Sequence, residues 1–208
     1  MKLNAFYLKV IALISMTVDH YGYFIEPDND LYRIIGRLAF VIFAYMVANA
    51  YLHTSNRLKH GLILLGFGLA IDVVLLLTNN YYFSNIFITL AIGYFLIYCY
   101  DTKKYLLMIP FLAIPFFINI DYGFYGILLI LACYIFFDKI HLLFVTNIAL
   151  IAIFSHFNEL NTIQYYSCLG ILLLALYNQE RGYKLKYFFY IYYPLHIIII
   201  NAMALYLK

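Results

Sequence analysis

A chain of 208 residues that is 66% hydrophobic and only 11% charged lacks the polar surface of a soluble domain, in which about a quarter of the residues carry charge. Apolar runs recur from end to end and leave no stretch for a soluble domain. The expectation is an all-α, polytopic integral membrane protein: a bundle of about nine transmembrane helices forming one domain over 1–208. The net charge of +3 says little by itself; the lipid bilayer is an expected partner and nucleic acid is not.

The predicted helices run roughly over 5–25, 31–52, 60–78, 84–100, 105–119, 123–137, 141–157, 163–178 and 186–206. The first contains adjacent ionisable residues, Asp19 and His20. An Asp near the centre of a membrane helix costs about 2.5–3.5 kcal/mol on insertion scales, so such a residue is usually kept because it does something. The same pair interrupts any small-residue cleavage site, and no removable signal peptide is expected. Ser15, Asp19 and Gly22 share one arc of this helix, at i, i+4 and i+7. His20 lies about 100° round from Asp19, so Asp19 is expected to pair with an arginine of the second helix rather than to orient His20.

The second helix carries Arg33 and Arg37 at i and i+4, on one face. They are either a structural ion pair and interface anchor or the charge-stabilising part of a polar pocket at the depth of His20. Asp72 falls well inside the third helix, after His53 and His60 flank a polar loop. Asn79-Asn80, Asn119 to Gly123 and Gln179 to Gly182 are predicted turns. Pro110 and Pro115 are expected to kink the fifth helix. The helices at 105–119, 123–137 and 163–178 are short enough to thin the bilayer or to re-enter it. His156 and His196 are further intramembrane polar groups, the latter just after Tyr192-Tyr193-Pro194. Cys99, Cys133 and Cys168 sit in separate apolar runs without metal or disulfide spacing and read as core residues.

Of the thirteen cations, ten fall on the N-terminal side of this topology: Lys2, Lys9, Arg57, Lys59, Lys103, Lys104, Lys139, Arg181, Lys184 and Lys186. Arg33, Arg37 and Lys208 fall opposite. The positive-inside rule then puts the N-terminus in the cytoplasm and the C-terminus outside, as nine crossings require. His20 lies about 16 Å along the helix beyond Lys9, past the midplane toward the outer face.

A histidine can take a proton from an attacking amine or hydroxyl, and a nearby arginine can hold a carboxylate or a developing oxyanion. The sequence has no metal-ligand cluster, nucleophile elbow or phosphate-cradling glycine loop. Acyl transfer here would be direct, with His20 as general base. Proton-coupled transport would use the same residue types, and at this point both remain open.

Several segments carry a family resemblance: Leu8 to His20, Tyr32 to Phe40, His53-Thr54, Asn85 to Leu90, Asp121 to Gly126, Tyr177 to Gly182, and Lys186 to His196. In that order, from one end of the chain to the other, they resemble the TraX-like family of F-pilin acetylation proteins, within the wider group of transmembrane acyltransferases. Two positions depart from the family pattern: Val41 where Pro is usual, and Gln179 where Gly is usual.

The resemblance implies a multi-pass cell-membrane enzyme. It would transfer an acetyl group from cytoplasmic acetyl-CoA to an amine or hydroxyl outside, on a peptide, protein or glycan; the family's prototype modifies a pilin N-terminus. His20 would be the catalytic base, supported by Asp19, Arg33 and Arg37, with no metal. Asp72, Tyr193 and His196 would line the substrate pocket. Arg57, Lys59, Arg181 and Lys184 would hold the nucleotide end of the donor, a reading that rests on their charge alone. The competing readings are a small-solute or proton-coupled transporter, mildly disfavoured by the lack of inverted repeats, and a non-catalytic partner in envelope or pilus assembly.

Overall fold

The structure is a computed structural model that describes residues 2–77, 85–157, 160–183 and 186–207. Its described residues form nine α-helices and two short 3-10 helices. The predicted turn at Asn79-Asn80, and Glu159, Lys184 and Lys208, lie outside them. The chain divides into two compact units, Met1–Phe43 with Asn161–Lys208, and Ala44–Leu160. Helix α2 (Asp30–His53) contains the division.

The first unit is built on α1 (Ala5–Phe24), which packs against α9 (Lys186–Leu207). Asn4 caps α1: its side-chain oxygen accepts the Tyr7 N–H at 3.1 Å, satisfying one of the orphan donors of the first turn. The residues before the cap are laced to the segment that follows α8 (Ser167–Leu174). Leu3 N–H donates to Leu176 O at 2.8 Å, Asn178 N–H to Leu3 O at 2.9 Å, and Ala5 N–H to Glu180 O at 2.8 Å. This pairing explains why the eighth helix is shorter than its apolar run. A 3-10 turn, Thr162–Tyr166, leads into α8; past Leu174 the N–H groups of Ala175, Leu176 and Tyr177 still bond back to the last turn, while Leu176 O and Asn178 N–H pair with Leu3 where a longer helix would have used them.

The predicted turn at Gln179 to Gly182 is present. Gly182 has φ +68°, and a Cβ there would come within 2.7 Å of the Asn4 side chain. Gln179 also has a positive φ, +62°, in the left-handed region that costs a side chain roughly 1–2 kcal/mol. It is the position where the resembled family carries glycine. Gln179→Gly is therefore expected to stabilise the fold by about 0.5–1 kcal/mol, read as a raised midpoint in thermal unfolding in detergent. A lowered midpoint would show that the glutamine side chain contributes more than its backbone costs.

Helices α1 and α2 meet where a side chain is missing. A Cβ on Gly22 would overlap Tyr32, and one on Gly36 would overlap the Asp19 side chain. Val41, the other departure from the family pattern, is fully buried. With an ordinary backbone N–H at that position, α2 runs unbroken for 24 residues.

In the second unit, α4 (Ile86–Asp101) is the central helix, packed on α3 (Arg57–Leu77), α5 (Met108–Phe117) and α6 (Gly123–Ile135). Asn85 caps α4, accepting from Phe87 N–H at 2.9 Å while donating to Gly68 O at 2.6 Å. Ile92 and Leu96 meet Ile120 and Ile127 in the core. The turn predicted at Asn119 to Gly123 opens α6, with Tyr122 at φ +60°. Pro110 lies in the first turn of α5, where its missing N–H has no intrahelical acceptor to lose; Pro115 lies inside, two residues before the helix ends. Helix α7 (Ile140–His156) is tied to α6 by the buried Tyr125 hydroxyl, which donates to Asn147 Oδ1 at 2.9 Å.

Among the described residues, α2 is the one helix long and apolar enough to cross a membrane by length and composition, beside six shorter apolar helices.

Candidate active site: a carboxylate, two guanidiniums and two imidazoles

Consecutive residues of α1 face two different helices. The Asp19 carboxylate faces α2 and takes both arginines. Its Oδ2 accepts from Arg33 Nη1 at 2.6 Å, and its Oδ1 from Arg37 Nη2 at 2.7 Å. The absence of a side chain at Gly36 gives the carboxylate its place. One turn earlier, Ser15 Oγ donates to Ile35 O at 2.5 Å and ties the same two helices.

Arg37 is the more deeply set cation, with 13% of its side chain exposed against 29% for Arg33. Its Nε donates to Arg33 O at 3.1 Å, and its Nη1 to Gln164 Oε1 at 3.2 Å. Gln164 is buried in the Thr162–Tyr166 turn, whose start is capped by Asn161. Arg33 lies 5.4 Å from the centroid of the Tyr23 ring. Two guanidiniums against one carboxylate leave this cluster with a formal charge of +1, suited to a carbonyl oxygen that turns negative.

Gly36→Ala tests this packing. The added methyl must displace the carboxylate or spread the helices, at about 1–3 kcal/mol. The expected result is a lower thermal midpoint; an unchanged midpoint would mean that the helices separate without loss.

His20 faces α9. Its Nδ1 lies 2.7 Å from His196 Nε2, and His196 Nδ1 lies 3.0 Å from Tyr192 O. Tyr193 is buried and presents its ring at a steep angle to both imidazoles. One turn back, Thr17 Oγ1 donates to Leu13 O and also lies 2.8 Å from the Tyr192 hydroxyl. Both histidines are buried.

The structure thus brings together six of the residues singled out in the sequence: Asp19, His20, Arg33, Arg37, Tyr193 and His196. Asp19 does pair with α2, and with both of its arginines. The side chain hydrogen-bonded to His20 is His196.

The other sequence candidates make different contacts. Asp72 belongs to the second unit, exposed on α3, where its Oδ1 accepts from Asn85 Nδ2 at 3.0 Å. Arg57, in the same unit, donates to Asp101 Oδ2 at 2.5 Å, and Asp101 also accepts from the Tyr51 and Tyr134 hydroxyls. Lys59 is exposed near the start of α3, and Arg181 is exposed in the first unit. Lys184 is outside the described residues. His156 is exposed in the last turn of α7.

The sequence gives no warning of Gln164, Thr17 or Tyr192. Gln164 lies 127 positions from Arg37, and Tyr192 lies 175 from Thr17. No local spacing connects them.

A family model described as TraX protein matches residues 5–204. The chain belongs to the TraX family. An uncharacterized protein, RP591, of Rickettsia prowazekii (strain Madrid E) is similar to it, with 34% identity over 92 residues. That match takes in 44% of this chain and 35% of the relative, so it spans about a third of the relative's length. No solved structure matches the chain. The TraX match runs over α1, α2 and most of α9, and so includes every residue of the carboxylate, guanidinium and imidazole cluster.

Proposed function

We propose that this TraX family protein is a multi-pass membrane acetyltransferase. It moves an acetyl group from cytoplasmic acetyl-CoA to an amine or hydroxyl at the extracytoplasmic side, on a pilin-like peptide terminus or another envelope molecule. The observation that carries the reading is that consecutive residues of α1, Asp19 and His20, hold two arginines of α2 and a buried imidazole of α9 respectively.

Membrane residence is supported by composition and by α2. It is supported also by the apolar side chains that the second unit turns outward: Leu106, Ile109, Phe116, Phe117 and Val145 are each more than half exposed. Water would penalise such a surface, whereas lipid solvates it. The distribution of cations sets the N-terminus in the cytoplasm. Lys59 and Arg181, both exposed, are each suited to an anionic nucleotide, whereas Arg57 is already engaged by Asp101.

In the reaction, His20 accepts the proton of the attacking N–H or O–H. The freed electron pair forms a bond to the thioester carbonyl carbon. The arginine cluster, with its surplus positive charge, stabilises the negative oxygen, and Arg33 as the more exposed guanidinium is the one suited to reach it. On collapse the carbon–sulfur bond breaks, the sulfur leaves with the electron pair, and His20 returns the proton to it. Coenzyme A and the acetylated acceptor are the products. General base catalysis supplies about 10²–10⁴ in rate, and each oxyanion partner about 10²–10³.

The test is mass spectrometry of envelope peptides, proteins and glycans from cells with and without the gene, paired with thiol release from acetyl-CoA by the purified protein. One acetyl group per acceptor that depends on the gene, with thiol release, is the expected result. Solute flux in proteoliposomes without thiol release would replace this reading with transport.

A further inference from the structure

The two imidazoles define their own proton positions. A backbone carbonyl oxygen only accepts, so the 3.0 Å contact of His196 Nδ1 with Tyr192 O places a proton on that nitrogen. A neutral ring then leaves His196 Nε2 as an acceptor, and the 2.7 Å contact with His20 Nδ1 requires His20 to be the donor. The ring planes are only 6° apart, with centroids 4.9 Å apart. That separation is the nitrogen–nitrogen distance plus a ring radius on each side, so the two rings meet edge to edge in one plane and the hydrogen bond is in line with both. With its proton held on Nδ1, neutral His20 has its lone pair on Nε2.

We propose that His196 is the positioning residue of this site: it holds His20 in the Nδ1–H tautomer, so that Nε2 is the atom that takes the acceptor's proton. The proposal rests on the acetyltransferase reading. It assigns to a neutral imidazole the task that a carboxylate performs in a catalytic triad. Asp19 is not available for that task, because both of its oxygens are taken by guanidiniums on another face of α1. When His20 accepts the proton, its Nδ1–H still donates to His196, and the bond becomes charge-assisted. The contact therefore favours the protonated state formed during the reaction without having to rearrange.

The direct test is nitrogen NMR of the wild-type protein labelled with 15N-histidine, in lipid, with His20→Asn used to assign the His20 signals. A protonated Nδ1 and an unprotonated Nε2 on His20 are expected; a proton on Nε2 overturns the proposal, whatever the protein acetylates. The kinetic test compares His196→Leu with His196→Gln, whose side-chain oxygen can accept from His20 Nδ1–H. The leucine variant should lose about a hundredfold or more in kcat with KM for acetyl-CoA changed less than about threefold, and glutamine should recover at least about tenfold of the loss. Equal activity in the leucine variant and the wild type, or no recovery by glutamine in a folded protein, also overturns it. The expected tautomer in a protein that releases no thiol from acetyl-CoA would uphold the pairing and remove the acetyltransferase reading instead.

Discussion

Asp19→Asn is expected to cost the fold about 3–5 kcal/mol, the penalty for removing one partner from a buried ion pair. The reason is the charge count. The native cluster carries one negative and two positive charges, and the variant carries two positive charges and no negative one. An asparagine can offer one oxygen to one guanidinium, but its NH₂ group then points a donor at the other. Arg33, partly exposed, can turn its charge away from the cluster toward its exposed side. Arg37 cannot, because Gln164 and the Arg33 carbonyl hold it in place.

The same count orders the remaining variants. Arg33→Gln leaves Asp19 paired with Arg37 and makes the cluster neutral, so its cost should be small. Arg37→Gln also makes the cluster neutral but removes the guanidinium donors to the Arg33 carbonyl and to the buried Gln164 oxygen, and should fall between the other two at about 1–3 kcal/mol. The double variant Asp19→Asn with Arg37→Gln should recover part of the loss of Asp19→Asn alone. The measurement is the fraction of folded, monodisperse protein that survives heating in detergent. Strictly additive losses in the double variant would show that the two residues act independently.

Under the proposed acetyltransferase mechanism, His20→Asn is expected to fold like the wild type and lose acetyl transfer by about 10²–10⁴. Asparagine is chosen because its amide nitrogen can donate to His196 Nε2 as His20 Nδ1 does, so the partner is not left unsatisfied. His20→Ala would leave that buried acceptor bare, at about 1–3 kcal/mol, and would confuse a loss of chemistry with a loss of fold. Thiol release from acetyl-CoA and the heating assay, run on one preparation, separate the two. A His20→Asn protein that turns over acetyl-CoA at the wild-type rate would remove His20 from the mechanism.

Much of the helical architecture was legible in the amino-acid order because its causes are local. Long apolar runs interrupted by Asn, Gly and charged residues delimit the helices, and eight of the nine have cores within a few residues of the runs that predict them. The i, i+4 spacing puts Arg33 and Arg37 on one face whatever lies opposite. The 100° step along a helix separates Asp19 from His20. It directs Asp19 toward α2 and His20 away from it.

What lies on the other side of each face is decided by tertiary structure. That Asp19 takes both arginines depends on the close approach of α1 and α2 at Gly36, which no spacing rule specifies. That His196 rather than an acid orients His20 depends on contact between residues 176 positions apart. The short α8 has the same kind of cause: its apolar run favours more helix, but backbone pairing with Leu3 takes the residues that would extend it. Helix propensity and hydrophobic periodicity act over a few residues and can be read along the chain. Hydrogen bonds and ion pairs between distant residues form only once packing has fixed which faces meet, so the chemistry of this site belongs to the folded molecule.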